Sequence, residues 1–135
     1  MKFLVLAVVT LASSLSLASG YVCEGQGYRV KMYNEVQPSL GTKNPAVLVV
    51  SSANGTIARL QGTEIEKDTT NDTTIFQGSN NAVDTGRFLS VQLEVVKQAS
   101  TSGDFAGTHF AILTVNADGG TWTAKMACSE YLKGN

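Results

Sequence analysis

The chain has 135 residues, 10 basic and 11 acidic, and a formal charge of −1. That length suits one domain, and the charges are interspersed, without the basic stripe of a nucleic-acid binder or the polybasic run of a membrane-surface segment. One histidine and two cysteines are too few and too scattered for a zinc site, so neither a metal nor a cofactor is expected.

Met1 to Gly20 reads as a removable export signal. Lys2 supplies the positive start, Phe3 to Val9 is continuously apolar, and small residues and leucines continue to Ala18. Ser13, Ser14 and Ser16 cut the run below the ~18 apolar residues of a membrane span, so no stable membrane insertion is expected. Cleavage after Gly20 puts Ala18 at −3, and cleavage after Ala18 puts Ser16 there; the first is preferred. Residues 21–135 then form a single β domain, periplasmic or secreted. In an oxidising compartment Cys23 and Cys128 are expected to pair. The loop so closed, about a hundred residues, is worth roughly 4–5 kcal/mol in chain-entropy terms.

Tyr21 to Asn34 reads as one strand with a bulge near Gly25 and Gly27. Tyr28, Val30 and Met32 share one face, opposite Arg29, Lys31 and Tyr33. Val36 to Asn44 is a loop, punctuated by Pro38, Gly41 and Pro45. Ala46 to Ser51 is a buried strand. Asn54-Gly55 turns it into a hairpin, whose return strand runs from Thr56 to about Glu66 with a bulge or split at Gly62. Thr73 to Gln77 is a short strand, followed by a turn over Gly78 to Asn81. Arg87 to Lys97 alternates most clearly, with Leu89, Val91, Leu93 and Val95 on one face. Gln98 to Asp104 is a loop, Phe105 to Asn116 a strand and Asp118-Gly119 a second hairpin turn. Thr121 to Cys128 then carries Trp122, Ala124, Met126 and Cys128 on one face.

These elements predict an all-β fold, a small antiparallel barrel of about eight strands closed by one disulfide, with a Greek-key β-sandwich as the alternative. Seven strands are clear. The eighth comes either from Ala82 to Thr85 or from a split at Gly62, because neighbouring first and last strands need an even count to be antiparallel. Tyr28, Phe88, Phe110, Trp122 and Met126 are bulky enough to fill the interior.

No catalytic constellation stands out. His109 is the sole histidine and sits mid-strand, and no serine lies in a nucleophile-elbow context. Glu64, Glu66 and Asp68, with Asp72 nearby, read as a solvated strand edge, and Asn54 and Asn71 begin glycosylation-type triplets. A non-enzymatic binding module is therefore expected. Its first candidate loop is Gly78 to Phe88, with Asn80, Asn81, Thr85, Gly86, Arg87 and Phe88; the second is Gln98 to Asp104. Arginine and aromatic side chains dominate interface energetics when exposed.

Tyr21, Cys23, Val30, Tyr33 and Asn34, with glycine between Cys23 and Val30, precede an apolar strand at Ala46 to Val50 and a late Cys128. This pattern resembles the periplasmic inhibitors of c-type lysozyme, small secreted bacterial barrels of eight antiparallel strands with a disulfide tying the ends. The resemblance implies a lysozyme as partner. That family inserts a Ser-Gly-x-x-Tyr loop into the lysozyme cleft. The nearest match here is Thr85-Gly86-Arg87-Phe88, one residue shorter and with phenylalanine for tyrosine. The alternatives are an accessory or structural envelope protein and a carrier of a small apolar ligand.

Overall fold

The computed structural model describes residues 19–34 and 46–132. The expected export signal up to Ala18, the expected loop Val36 to Asn44 and the last three residues lie outside the described residues.

Among the described residues nine strands form one sheet: β1 (Ser19–Gly25), β2 (Tyr28–Asn34), β3 (Ala46–Ser52), β4 (Gly55–Gln61), β5 (Ile65–Thr69), β6 (Thr73–Asn81), β7 (Phe88–Val96), β8 (His109–Ala117) and β9 (Gly120–Leu132). Their order is β4-β3-β2-β1-β9-β8-β7-β6-β5, and neighbours are antiparallel. The single sheet removes the sandwich alternative. First and last strands are partners, and Cys23 lies opposite Cys128 in their register. The two are bonded, with Cα atoms 3.9 Å apart.

The sheet's two ends, β4 and β5, are consecutive in the chain. Eight antiparallel steps separate them, so they point the same way. They are one bent passage, interrupted by a single 3-10 turn at Gly62–Glu64. Gly62 supplies the break, at φ 61°, a region only glycine enters without cost. The passages therefore number eight, and β1 and β9 meet antiparallel although nine strands are present. The split expected at Gly62 is present but does not reverse the chain, so it adds no passage; the eighth comes instead from the turn at Gln26–Gly27, which divides Tyr21 to Asn34 into β1 and β2. Ala82 to Thr85 is not a strand but the turn between β6 and β7.

The seam where β4 approaches β6 is nearly closed. The Val83 amide donates to Ile57 O (2.7 Å). Asn80 Nδ2 donates to Arg59 O (3.3 Å) and Glu64 Oε2 (2.8 Å).

Three expected elements move. Tyr21 to Asn34 is two strands, not one bulged strand. Gln26 and Gly27 both take positive φ, 52° and 88°, and reverse the chain in a two-residue turn, while Gln26 Oε1 accepts the Lys125 amide (2.7 Å). The turn expected over Gly78 to Asn81 is absent, and β6 continues to Asn81. Gly78 pairs with both Ile65 and Val91, where a β-carbon would collide with the Glu64 carbonyl oxygen. Glycine is needed there for close approach, not for a turn. Phe105 to Thr108 belongs to a hydrogen-bonded loop, and β8 begins only at His109.

Alternation sets the interior. Leu89, Val91, Leu93 and Val95 of β7 face Ala111, Leu113 and Val115 of β8 and Ala124 and Met126 of β9, all buried. Leu48, Leu60, Leu93 and Leu113 are wholly inaccessible, and truncating one typically costs ~2–5 kcal/mol. Of the bulky residues expected inside, Tyr28, Trp122 and Met126 pack on this core. Phe88 and Phe110 point outward, 62% and 48% exposed, because each is one residue out of phase with its strand's buried set.

Candidate functional site

One mouth of the barrel carries the turns at 26–27, 53–54, 82–87 and 118–119; the other carries the start of β1, the end of β9, the turn at 70–72 and the segment 97–108. The first candidate loop lies at the turn mouth and the second at the terminal mouth, so the two are not one surface.

The tip between β6 and β7 is braced from within. Asn81 pairs with Phe88. Ala82, buried, bonds twice across the turn to its far end: its amide donates to Arg87 O (2.7 Å) and its carbonyl accepts from the Gly86 amide (2.8 Å). Asp84 Oδ1 accepts the Thr85 amide (2.9 Å) and Thr85 Oγ1 accepts the Arg87 amide (3.2 Å). Gly86 holds φ 74°, which a side chain would strain. With the Val83–Ile57 bond to β4, the tip is fixed on three sides.

Of the six residues expected here, Asn81, Thr85, Gly86, Arg87 and Phe88 are brought together on this exposed tip. Asn80 turns away, its amide spent on the seam. Val83, which the sequence did not single out, joins the tip at 58% exposure. The tip thus presents two exposed apolar side chains, Val83 and Phe88, together with an exposed Arg87.

The second loop is also internally bonded: Ser100 donates to Thr108 O (2.8 Å) and Gly107 to Ser100 O (2.8 Å). Beside it Phe105, Phe110 and Ala127 form an outer-face groove of about 390 Å³, edged by Glu24 and Lys125. Leu113 and Val115 facing inward would have placed Phe110 outside by parity alone.

A polar group at the terminal mouth was not legible in the sequence. His109 is the one buried polar residue among those described, 7% exposed. Its Nδ1 lies 2.9 Å from Val96 O and its Nε2 3.6 Å from Glu130 Oε2. The Tyr21 ring meets the imidazole edge-on, centroids 5.7 Å apart. Burial, and then the Glu130 carboxylate, push the Tyr21 hydroxyl above its usual range. Tyr21 and Glu130 are register partners, but 109 residues of chain hide that from a linear reading.

Among the described residues, no group of three or more His, Cys, Asp and Glu side chains gathers, and no helix is long and apolar enough to cross a membrane. No family model, curated protein or solved structure matches the chain. Fold and site together define a disulfide-closed, nearly closed antiparallel barrel with one braced, partly apolar tip.

Proposed function

We propose that this chain is an exported, non-enzymatic binding module that engages another protein through the tip between β6 and β7. The observation that carries the reading is Phe88, 62% exposed, beside Arg87 on a turn fixed by its own hydrogen bonds. Exposed aromatic and arginine side chains are the usual anchors of protein interfaces, and a rigid loop binds with little ordering cost. The packed aliphatic interior supports recognition by the outer surface over a ligand held in the lumen. The disulfide is compatible with export. Cleavage after Ala18 suits the fold better than cleavage after Gly20, since Ser19 and Gly20 belong to β1 and pair with Leu132 of β9 and Tyr33 of β2.

The narrower form of the reading is inhibition of a c-type lysozyme, with Thr85 to Phe88 entering the cleft. Exported protein should then inhibit such a lysozyme stoichiometrically. Arg87→Ala and Phe88→Ala should each weaken inhibition by about tenfold or more. No inhibition at large molar excess removes the lysozyme form and leaves the general one. Hydrolytic turnover that disappears in His109→Ala would remove both.

A further inference from the structure

Two exposed aromatic side chains lie away from the tip. Phe105, 64% exposed, and Phe110 flank the outer-face groove beside the second loop. The apolar surface continues across the strands. Ile112, two residues on from Phe110, points outward from β8 by alternation, since Ala111 and Leu113 are wholly buried. Its register partners are Glu94 on β7 and Lys125 on β9, and Glu94 is in turn the partner of Ile75 on β6. One row nearer the terminal mouth, Phe110 pairs with Ala127, and Val96 shares the outward parity of Glu94. The solvated face of an antiparallel sheet ordinarily carries polar residues. Here Ile75, Val96, Phe110, Ile112 and Ala127 reach solvent together on such a face, and contiguous apolar side chains of this kind mark interaction surfaces.

The charges on the patch indicate what covers it. Glu94 and Lys125 stand one strand to either side of Ile112, with opposite sign, and neither forms an ion pair among the described residues. We propose that this face is the interface of a symmetric dimer, in which a second copy of the chain packs face to face about a two-fold axis running along β8. Such an axis exchanges the two flanks of β8. Glu94 of each copy then meets the partner's Lys125, while Phe110 and Ile112 meet their own counterparts on the axis. The other axis in the plane of the sheet, at right angles to β8, would set Glu94 on Glu94 and Lys125 on Lys125. Like charges facing each other are strongly disfavoured, so the charges select the axis. A self-complementary patch is what an isologous interface requires.

The patch spans β7 to β9 on the convex outside of a barrel. It therefore buries less than a standard interface, and the association is weak and sensitive to salt. It is also separate from the tip: Phe88 lies six residues before Glu94 on β7, about 20 Å along the strand. A dimer formed here leaves both tips free for a partner.

The test is sedimentation velocity of the exported, untagged chain with its disulfide intact, from about 1 μM to about 1 mM. A reversible monomer–dimer equilibrium should appear and weaken as salt is added. Glu94→Lys and Lys125→Glu are both outward changes that leave the core intact. Each should weaken self-association by about tenfold or more, because it sets like charges together at both symmetry-related contacts. Mixing the two variants is the decisive measurement. In the mixed dimer the new lysine faces the new glutamate, and the native Lys125 faces the native Glu94. The mixture should therefore regain the parental dimer although neither variant dimerises well alone. Phe88→Ala should leave the dimer unchanged, which keeps this result independent of binding at the tip. Should Glu94→Lys fail to fold, Lys125→Glu decides alone: its residual dimer should strengthen with salt, the reverse of the parent. A chain monomeric throughout the range overturns the interface. So does a dimer untouched by either charge variant, or a mixture as monomeric as its parts.

Discussion

The two mouths of this barrel are each stoppered by a tyrosine, and they use it in opposite ways. At the turn mouth Tyr28 stacks on Trp122, ring centroids 4.3 Å apart and planes 22° from parallel, and Ile57 and Ala117 pack on the same core. At the terminal mouth Tyr21 meets His109 edge-on and Phe76 at a tilt, centroids 6.3 Å apart for the latter, and Glu130 and Lys67 line the cavity there. The first stopper is apolar and carries little that titrates between pH 5 and pH 8. The second places one buried imidazole beside the Glu130 carboxylate. One strand pair thus supplies one stopper that stabilises by packing alone and another that sets polar groups against one another.

The largest test of that contrast is the disulfide. Replacing Cys23 and Cys128 together by serine should cost about 4 kcal/mol, measured by denaturant unfolding. Cys128 pairs with His109 as well as Cys23, so hydrogen exchange should rise more at the terminal mouth than around Trp122. Equal loosening at both mouths would break the comparison.

Next is Trp122→Ala, which removes half of the apolar stopper. A loss of about 3 kcal/mol is expected, the same at pH 5 and pH 8. A loss that varies with pH across that range would show that the turn mouth is not the inert one. Tyr28→Leu keeps most apolar area but removes the stack, so its cost should be smaller, ~1 kcal/mol, and should largely vanish in a Trp122→Ala background.

The smallest effect concerns Tyr21. Its hydroxyl is held above the ordinary tyrosine range by burial and then by Glu130. As pH rises past the unfolded value near 10, the unfolded chain loses this proton first. The stability contribution is therefore full below that value and is lost as pH climbs through the folded one. Tyr21→Phe should remove this part of the alkaline loss and change little at neutral pH. Glu130→Gln should bring the Tyr21 transition in an ultraviolet titration down toward the free range. A Tyr21 transition already at the free value would contradict the burial argument.

Much of the fold was legible because strand parity is a local property. Leu89, Val91, Leu93 and Val95 announce β7 and its buried face, and Asn54-Gly55 and Asp118-Gly119 announce their hairpins. The tip was legible in part, since Gly86 marks a turn and Arg87 and Phe88 flank it. Asn80 was not, because its amide is claimed by Arg59 and Glu64 across the seam, partners 16 and more residues away. The turn at Gln26 was missed because glutamine does not advertise positive φ; a contact with Lys125, 99 residues on, supports it there.

By itself, then, the sequence determined the all-β class, the alternating buried faces and the pairing of its only two cysteines. These follow from side-chain period and from composition, which act within a few residues or need no geometry. Tertiary structure alone decided that β4 and β5 are one bent passage closing the sheet, that Gly78 serves a close approach, and that His109, Tyr21 and Glu130 meet at one mouth. Register between strands far apart in the chain sets those contacts, and register is fixed only when the whole barrel closes.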